Sequence, residues 1–97
     1  MEKRLMVHEG QLLAIFNSAH RVMKAESILK AAGMPILLIP APRQLGTDCG
    51  LAIRFGGDVQ EAVMQVLEQK GLVPEYVCRH EGREYVTVWT CPGSSPP

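Results

Sequence analysis

The stretch QLLAIFNSAHRVMKAESILKAAG, residues 11–33, decides the fold. Gln11 to Asn17 is a short, almost continuous apolar run. That is the pattern of a strand covered on both faces or set at the centre of a sheet. Ser18 follows, and its hydroxyl can accept a bond from an orphan N–H of the next turn. Ala19, Val22, Ala25, Leu29 and Ala32 then recur at three- and four-residue spacing, which places them on one helical stripe. Gly33 suits the left-handed position past a helix end, and Pro35 stops the helix from resuming. The reading is strand, cap, helix, stop.

Working outward, Ile36 to Ile39 reads as a second buried strand and Leu51 to Phe55 as a third. Asp58 and Glu61 form an Asp-x-x-Glu capping box, which opens a second helix with Val59, Ala62, Val63, Val66 and Leu67 inward and Gly71 at its end. Val73 to His80 and Arg83 to Thr90 read as a closing hairpin around Glu81-Gly82. His80 then faces Arg83, Cys78 faces Tyr85 and Pro74 faces Trp89, so Cys78 and Cys91 stand about 20 Å apart, beyond disulfide reach. His8-Glu9-Gly10 resembles His80-Glu81-Gly82, so Lys3 to Val7 is a candidate extra strand.

The core order is strand, helix, strand, strand, helix, strand. It predicts an α+β domain over residues 1–91, a ferredoxin-like βαββαβ sandwich with an antiparallel sheet and both helices on one face. An extra C-terminal strand, and an N-terminal one if Lys3 to Val7 pairs, are added to it. The other sheet face is left for those strands or for a homo-oligomer partner. Residues 92–97 read as a flexible tail.

Composition narrows the function. The chain has 97 residues, with 10 Lys and Arg balancing 10 Asp and Glu. A neutral chain lacks the basic stripe that phosphate neutralisation needs, so nucleic acid is not the expected partner. Leu5-Met6-Val7 is far shorter than a spanning or signal segment, so no membrane association is expected. The three cysteines lack CxxC spacing, which argues against a metal site, and at an odd count they cannot pair completely, which favours a reducing, cytoplasmic setting. Cys78 and His80 share a strand face, but two ligands do not make a site.

The residue singled out is Cys49, in the irregular stretch from Pro40 to Gly50. Pro40 and Pro42 fix φ at the start of this loop, and Gly46 and Gly50 permit unusual geometry at its end. A thiolate needs access and a nearby positive group, for which Arg43 and Arg54 are the local candidates. Gly50 removes bulk beside the sulfur, and its N–H can donate to a sulfur anion. Asp48 opposes an anion there. The competing reading makes Cys49 a small apolar side chain tucked under the loop.

Four segments carry a family resemblance: Ile15-Phe16-Asn17-Ser18, the helix reaching Glu26, Leu38-Ile-Pro-Ala-Pro-Arg43, and Asp48-Cys-Gly-Leu-Ala-Ile-Arg-Phe55. Together they resemble the putative selenium/sulfur carrier protein-like family, a small bacterial domain, from about Leu12 to Gly71. The resemblance implies that Cys49 carries sulfur or selenium as a persulfide or selenopersulfide. It further implies that Gly50 is its flexible neighbour, that Arg43 stabilises an anion or meets a partner, and that Pro40 and Pro42 hold the loop. Protein donors and acceptors are the implied partners, and no cofactor is implied. The alternative is a non-catalytic ligand-binding or regulatory module, since fold alone does not fix function.

Overall fold

The computed structural model describes residues 10–91. In chain order they form β1 (Leu12–Ile15), α1 (Ala19–Ala31), β2 (Leu37–Pro40), β3 (Leu51–Phe55), α2 (Gln60–Gln69), β4 (Tyr76–Glu81) and β5 (Glu84–Thr90). Short 3-10 turns lie at Arg43–Leu45 and Gly57–Val59. The expectations for Lys3 to Val7 and for the tail at 92–97 lie outside the described residues.

β1 is buried along its whole length because it is the middle strand of five. The order is β2-β3-β1-β4-β5, and every neighbouring pair is antiparallel. It follows that β1 runs parallel to β2 with β3 between them, and β3 runs parallel to β4 with β1 between them. Each helix bridges one such parallel pair, so the two strand–helix–strand units interleave. The domain is α+β.

The local signals of the first unit are realised. Ser18 caps α1, its side chain accepting from Arg21 N at 3.2 Å. Gly33 takes φ +78 just past the helix. The inward stripe is narrower than expected: Val22, Ala25 and Leu29 are buried, while Ala19 and Ala32 at its ends are exposed. The second helix starts differently from the capping-box expectation. Asp58 sits inside the 3-10 turn, the cap position is Val59, and no side chain caps the helix. A Cβ at Gly56 would lie 2.6 Å from Asp58 Oδ1, so this carboxylate folds back on Gly56 instead of reaching forward.

Two clusters form on the two faces of the sheet. Val22, Ala25 and Leu29 of α1 and Val63 and Leu67 of α2 pack with Leu12, Ala14, Ile53, Phe55 and Val77, so both helices cover one face. Burying each of the larger side chains contributes about 1.5–3 kcal/mol. The opposite face, expected to be left for added strands or an oligomer partner, is covered within the chain. Leu13, Ile15, Ile39, Ala52 and Cys78 are buried there, with Ala41, Leu45, Tyr76 and Tyr85 packed against them. The 40–50 loop supplies two of these covering residues.

The closing hairpin is also shifted. Its turn is Gly82-Arg83, with Gly82 at φ +63, and His80 pairs with Tyr85 and Cys78 with Thr87. A bulge between Val77 and Cys78 then puts Val77 opposite Trp89. The cause is the glycine: Gly82 takes the positive φ that the first position of a tight primed turn requires, which Glu81 would take only with strain. The bulge also separates two aromatic residues that, four apart, strict alternation would place on one face. Tyr85 packs in the second cluster and Trp89 in the first. Cys91 consequently bonds through its N–H to Glu75 O, three residues from Cys78 and about 10 Å along the strand, closer than expected. The three cysteines are thiols, not disulfides.

Candidate functional site

The 40–50 loop is a closed unit. Pro40, the last residue of β2, pairs with Leu51, and Ala41 N donates to Gly50 O at 2.9 Å, drawing the neck shut. Pro42, at φ −59, leads into the 3-10 turn that begins at Arg43. Gly46 and Gly50 take φ +59 and +72, left-handed values that glycine adopts at little cost. Inside the loop Leu45 faces the second cluster, and outside it Gln44 Nε2 donates to Arg83 O at 3.2 Å. The loop is thus fastened at its neck, its floor and its tip.

Cys49 is half-buried within this unit. Its thiol donates to Leu51 O at 3.1 Å and to Phe16 O at 3.3 Å, with Thr47 Oγ1 at 4.0 Å. These contacts set the sulfur between the end of β1 and the start of β3. Gly50 N–H does not serve the sulfur, as the sequence suggested. It donates to Thr47 Oγ1 at 3.2 Å. A hydroxyl with one lone pair so engaged still has its own hydrogen to give.

Beside the sulfur lies a cleft of about 180 Å³. Asn17 from the β1 end, Thr47 and Asp48 from the loop, and Glu75 and Tyr76 from the start of β4 supply its polar walls, with Ile15, Phe16 and Leu45 beneath. Phe16 and Thr47 both line the cleft and touch the sulfur, so Cys49 stands one contact away from it. Burial pushes the Tyr76 phenol up from its ordinary 10.0, with smaller contributions from Cys78, Glu75 and Cys49. It is therefore a neutral donor at physiological pH.

The loop brings Pro40, Pro42, Arg43, Cys49 and Gly50 together in one unit, but the two arginines do not converge on the sulfur. Arg43 is exposed on the 3-10 turn and is not among the sulfur's hydrogen-bond partners. Arg54 lies three residues along β3 from Leu51, about 10 Å away, and pairs with Leu13 and Leu37. The charges nearest the cleft are instead the acidic Asp48 and Glu75.

Four residues here escaped sequence reading. Glu75, Tyr76 and the Phe16 carbonyl reach the site only through strand pairing, for which no local signal exists. Thr47 had one: a hydroxyl three residues before a glycine is well spaced to accept its N–H. Elsewhere, Cys78 is buried, and that burial pushes its thiol up to about 11. His80 stacks on Tyr85 with ring centroids 4.9 Å apart. Among the described residues no three His, Cys, Asp or Glu side chains gather as a metal site, and no helix is long and apolar enough to cross a membrane.

Comparison with known proteins adds one finding. The family model described as "Putative Se/S carrier protein-like" matches residues 11–79, from the residue before β1 into β4, and so takes in the whole loop and cleft. No curated protein and no solved structure matches the chain.

Proposed function

The chain belongs to the Se/S carrier protein-like family, and on that premise we propose that Cys49 is the atom-carrying residue of a sulfur or selenium carrier. The Cys49 thiolate attacks the terminal chalcogen of a donor persulfide or selenopersulfide. An Sγ–S or Sγ–Se bond forms, the donor's own bond to that atom breaks, and the donor thiolate leaves with the electron pair and takes up a proton. The reverse step, onto an acceptor thiolate, delivers the atom. Neither step needs a metal or an organic cofactor.

The observation that carries this reading is the position of Cys49: half-buried, on a fastened loop, beside a cleft large enough for one added chalcogen and its hydration. Pro40, Pro42 and Gly50 set the loop's shape. Arg43, exposed on the same unit, is the residue that meets a partner, and Arg54 supports β3 beneath it. Protein donors and acceptors are the partners, with a second copy of the chain as a further one. A reducing cytoplasm, where thiols persist, is the fitting compartment. The strand order fits a ferredoxin-like sandwich with β5 added at one edge.

Intact mass after incubation with a persulfide or selenopersulfide donor tests the proposal. An added mass of about 32 or 80 Da that is absent from Cys49→Ser supports it, the adduct being a reversible thiol state. No adduct, or one that persists in Cys49→Ser, refutes it.

One observation favours a second reading. The Cys49 S–H shares its one hydrogen between two main-chain oxygens, which makes it a pin joining the loop to β1 and β3. In that case the protein is a non-catalytic interaction module, and Cys49→Ser binds its partner as the wild type does.

A further inference from the structure

The contacts of Cys49 divide into two sets. Leu51 O and Phe16 O accept from the thiol, and acceptors of this kind have nothing to offer a sulfur anion. Thr47 Oγ1 also stands as an acceptor for the thiol, at the limit of reach, but unlike a carbonyl it carries a hydrogen of its own. Its lone pair is held by Gly50 N–H at 3.2 Å, which fixes the oxygen, while its hydrogen remains to be given. It lies 4.0 Å from the sulfur and on the wall of the cleft.

We propose that Thr47 is the positioning residue of the chalcogen site, donating its hydroxyl hydrogen to the anionic form of Cys49 and turning that anion from the main-chain oxygens into the cleft. This rests on the carrier reading. The neutral thiol is held against Phe16 and Leu51. When its proton leaves to water, two carbonyl oxygens confront a negative sulfur, and rotation about the Cα–Cβ bond exchanges them for the Thr47 hydroxyl. A terminal sulfur or selenium, about 2 Å further out, then occupies the cleft. Deprotonation and presentation become a single event.

The groups around this anion set its pH dependence. Asp48 on the loop and Glu75 on the β4 side are negative and oppose it, and Tyr76 is a neutral phenol across the cleft. Arg43 lies on the 3-10 turn and Arg54 further along β3, while the β1 end contributes Phe16 and Asn17, which do not titrate. With both nearby carboxylates unfavourable, one neutral donor has a large part to play.

The test is the rate of iodoacetamide labelling at Cys49, read by peptide mass across pH 6–10 in the wild type, Thr47→Val and Thr47→Ser. Thr47→Val is expected to slow labelling near neutral pH about tenfold and to move the profile to higher pH by about one unit, in line with loss of a hydrogen bond to a charged group. Thr47→Ser, which keeps the hydroxyl, follows the wild type. Superimposable Thr47→Val and wild-type profiles overturn the proposal. So does a Thr47→Ser profile as slow as that of Thr47→Val, because the methyl and not the hydroxyl would then be responsible. Equal thermal midpoints for the three proteins show that labelling reports the site and not unfolding. The carrier reading fails separately, on the absence of a chalcogen adduct in the wild type.

Discussion

Gln44 Nε2 and the Arg83 carbonyl are joined across 39 residues of sequence by a 3.2 Å hydrogen bond. This clip ties the tip of the 40–50 loop to the β4–β5 turn. With the Ala41–Gly50 neck bond and Leu45 on the second cluster, it is the third fastening of a segment with only three residues of 3-10 structure. The loop that carries Cys49 is therefore fastened to parts of the chain on both sides of it in sequence.

Replacing Gln44 by Ala removes that clip at an exposed position, where the expected loss of global stability is small, about 0.5–1 kcal/mol. The local effect is larger. Hydrogen exchange at the Leu45 and Gly46 amides, which bond to Pro42 O and Arg43 O within the 3-10 turn, is expected to accelerate severalfold. Unchanged exchange at those two amides would show the clip to be idle.

Cys49→Ala and Cys49→Ser separate the donor role of the side chain from its volume. Serine can still donate to Phe16 O and Leu51 O, whereas alanine leaves both part-buried oxygens to water. Alanine is expected to cost about 1 kcal/mol more than serine in urea denaturation, the worth of an ordinary hydrogen bond. Equal midpoints for the two variants would contradict the pin.

Gly50 holds φ +72 with open space where a Cβ would stand. The cost of Gly50→Ala is thus one of backbone strain and not of collision, about 1–2 kcal/mol. Since Gly50 O also closes the loop neck to Ala41 N, the variant is expected to show faster exchange of the Ala41 amide as well as a lower thermal midpoint.

Cys78 gives stability a pH dependence whose direction is fixed. Its thiol ionises near 9.0 when exposed, and burial pushes it up to about 11 in the folded chain. Between those values the unfolded chain has lost a proton that the folded chain keeps, so stability falls as pH rises, by up to about 1.4 kcal/mol per pH unit, and levels off above the folded value. Tyr76 and Tyr85 are raised by burial too and add to the fall above about pH 10. Urea titrations at about pH 8, 9.5 and 10.5 should show a steeper decline in the wild type than in Cys78→Ala. Parallel declines would mean that Cys78 ionises freely in the folded state.

Ser18→Ala is expected to lower stability by about 1 kcal/mol, because Arg21 N loses the oxygen that caps it. Ser18→Asp restores an acceptor and is expected to recover most of that loss. Thermal denaturation of the pair checks both.

Much of the fold was legible because its signals are local. Ser18, Gly33 and the Leu51 to Phe55 run act within a few residues of themselves, and each element they predicted is present. The errors share a different origin. Asp58 looked like a cap because the Asp-x-x-Glu spacing is right, but it sits inside a 3-10 turn, and the missing side chain of Gly56 leaves room for its carboxylate to fold backward. The Glu81-Gly82 turn was one residue early, and since side chains alternate along a strand, that shift and the Val77/Cys78 bulge re-addressed every partner in the hairpin. At the site, the cysteine, its prolines and its glycine were readable from the loop's composition. Phe16, Glu75 and Tyr76 were not, because only the placing of β1 between β3 and β4 brings them there.

The bulge in the last hairpin has a consequence for how the molecule comes apart. It sends Trp89 into the cluster beneath the helices and leaves Tyr85 in the cluster beneath the loop, so one strand forms a wall of both. Neither compartment can open by shedding β5 without breaching the other. β5 acts as a rivet through the two layers, and melting followed at the helices and at the loop should trace the same single transition.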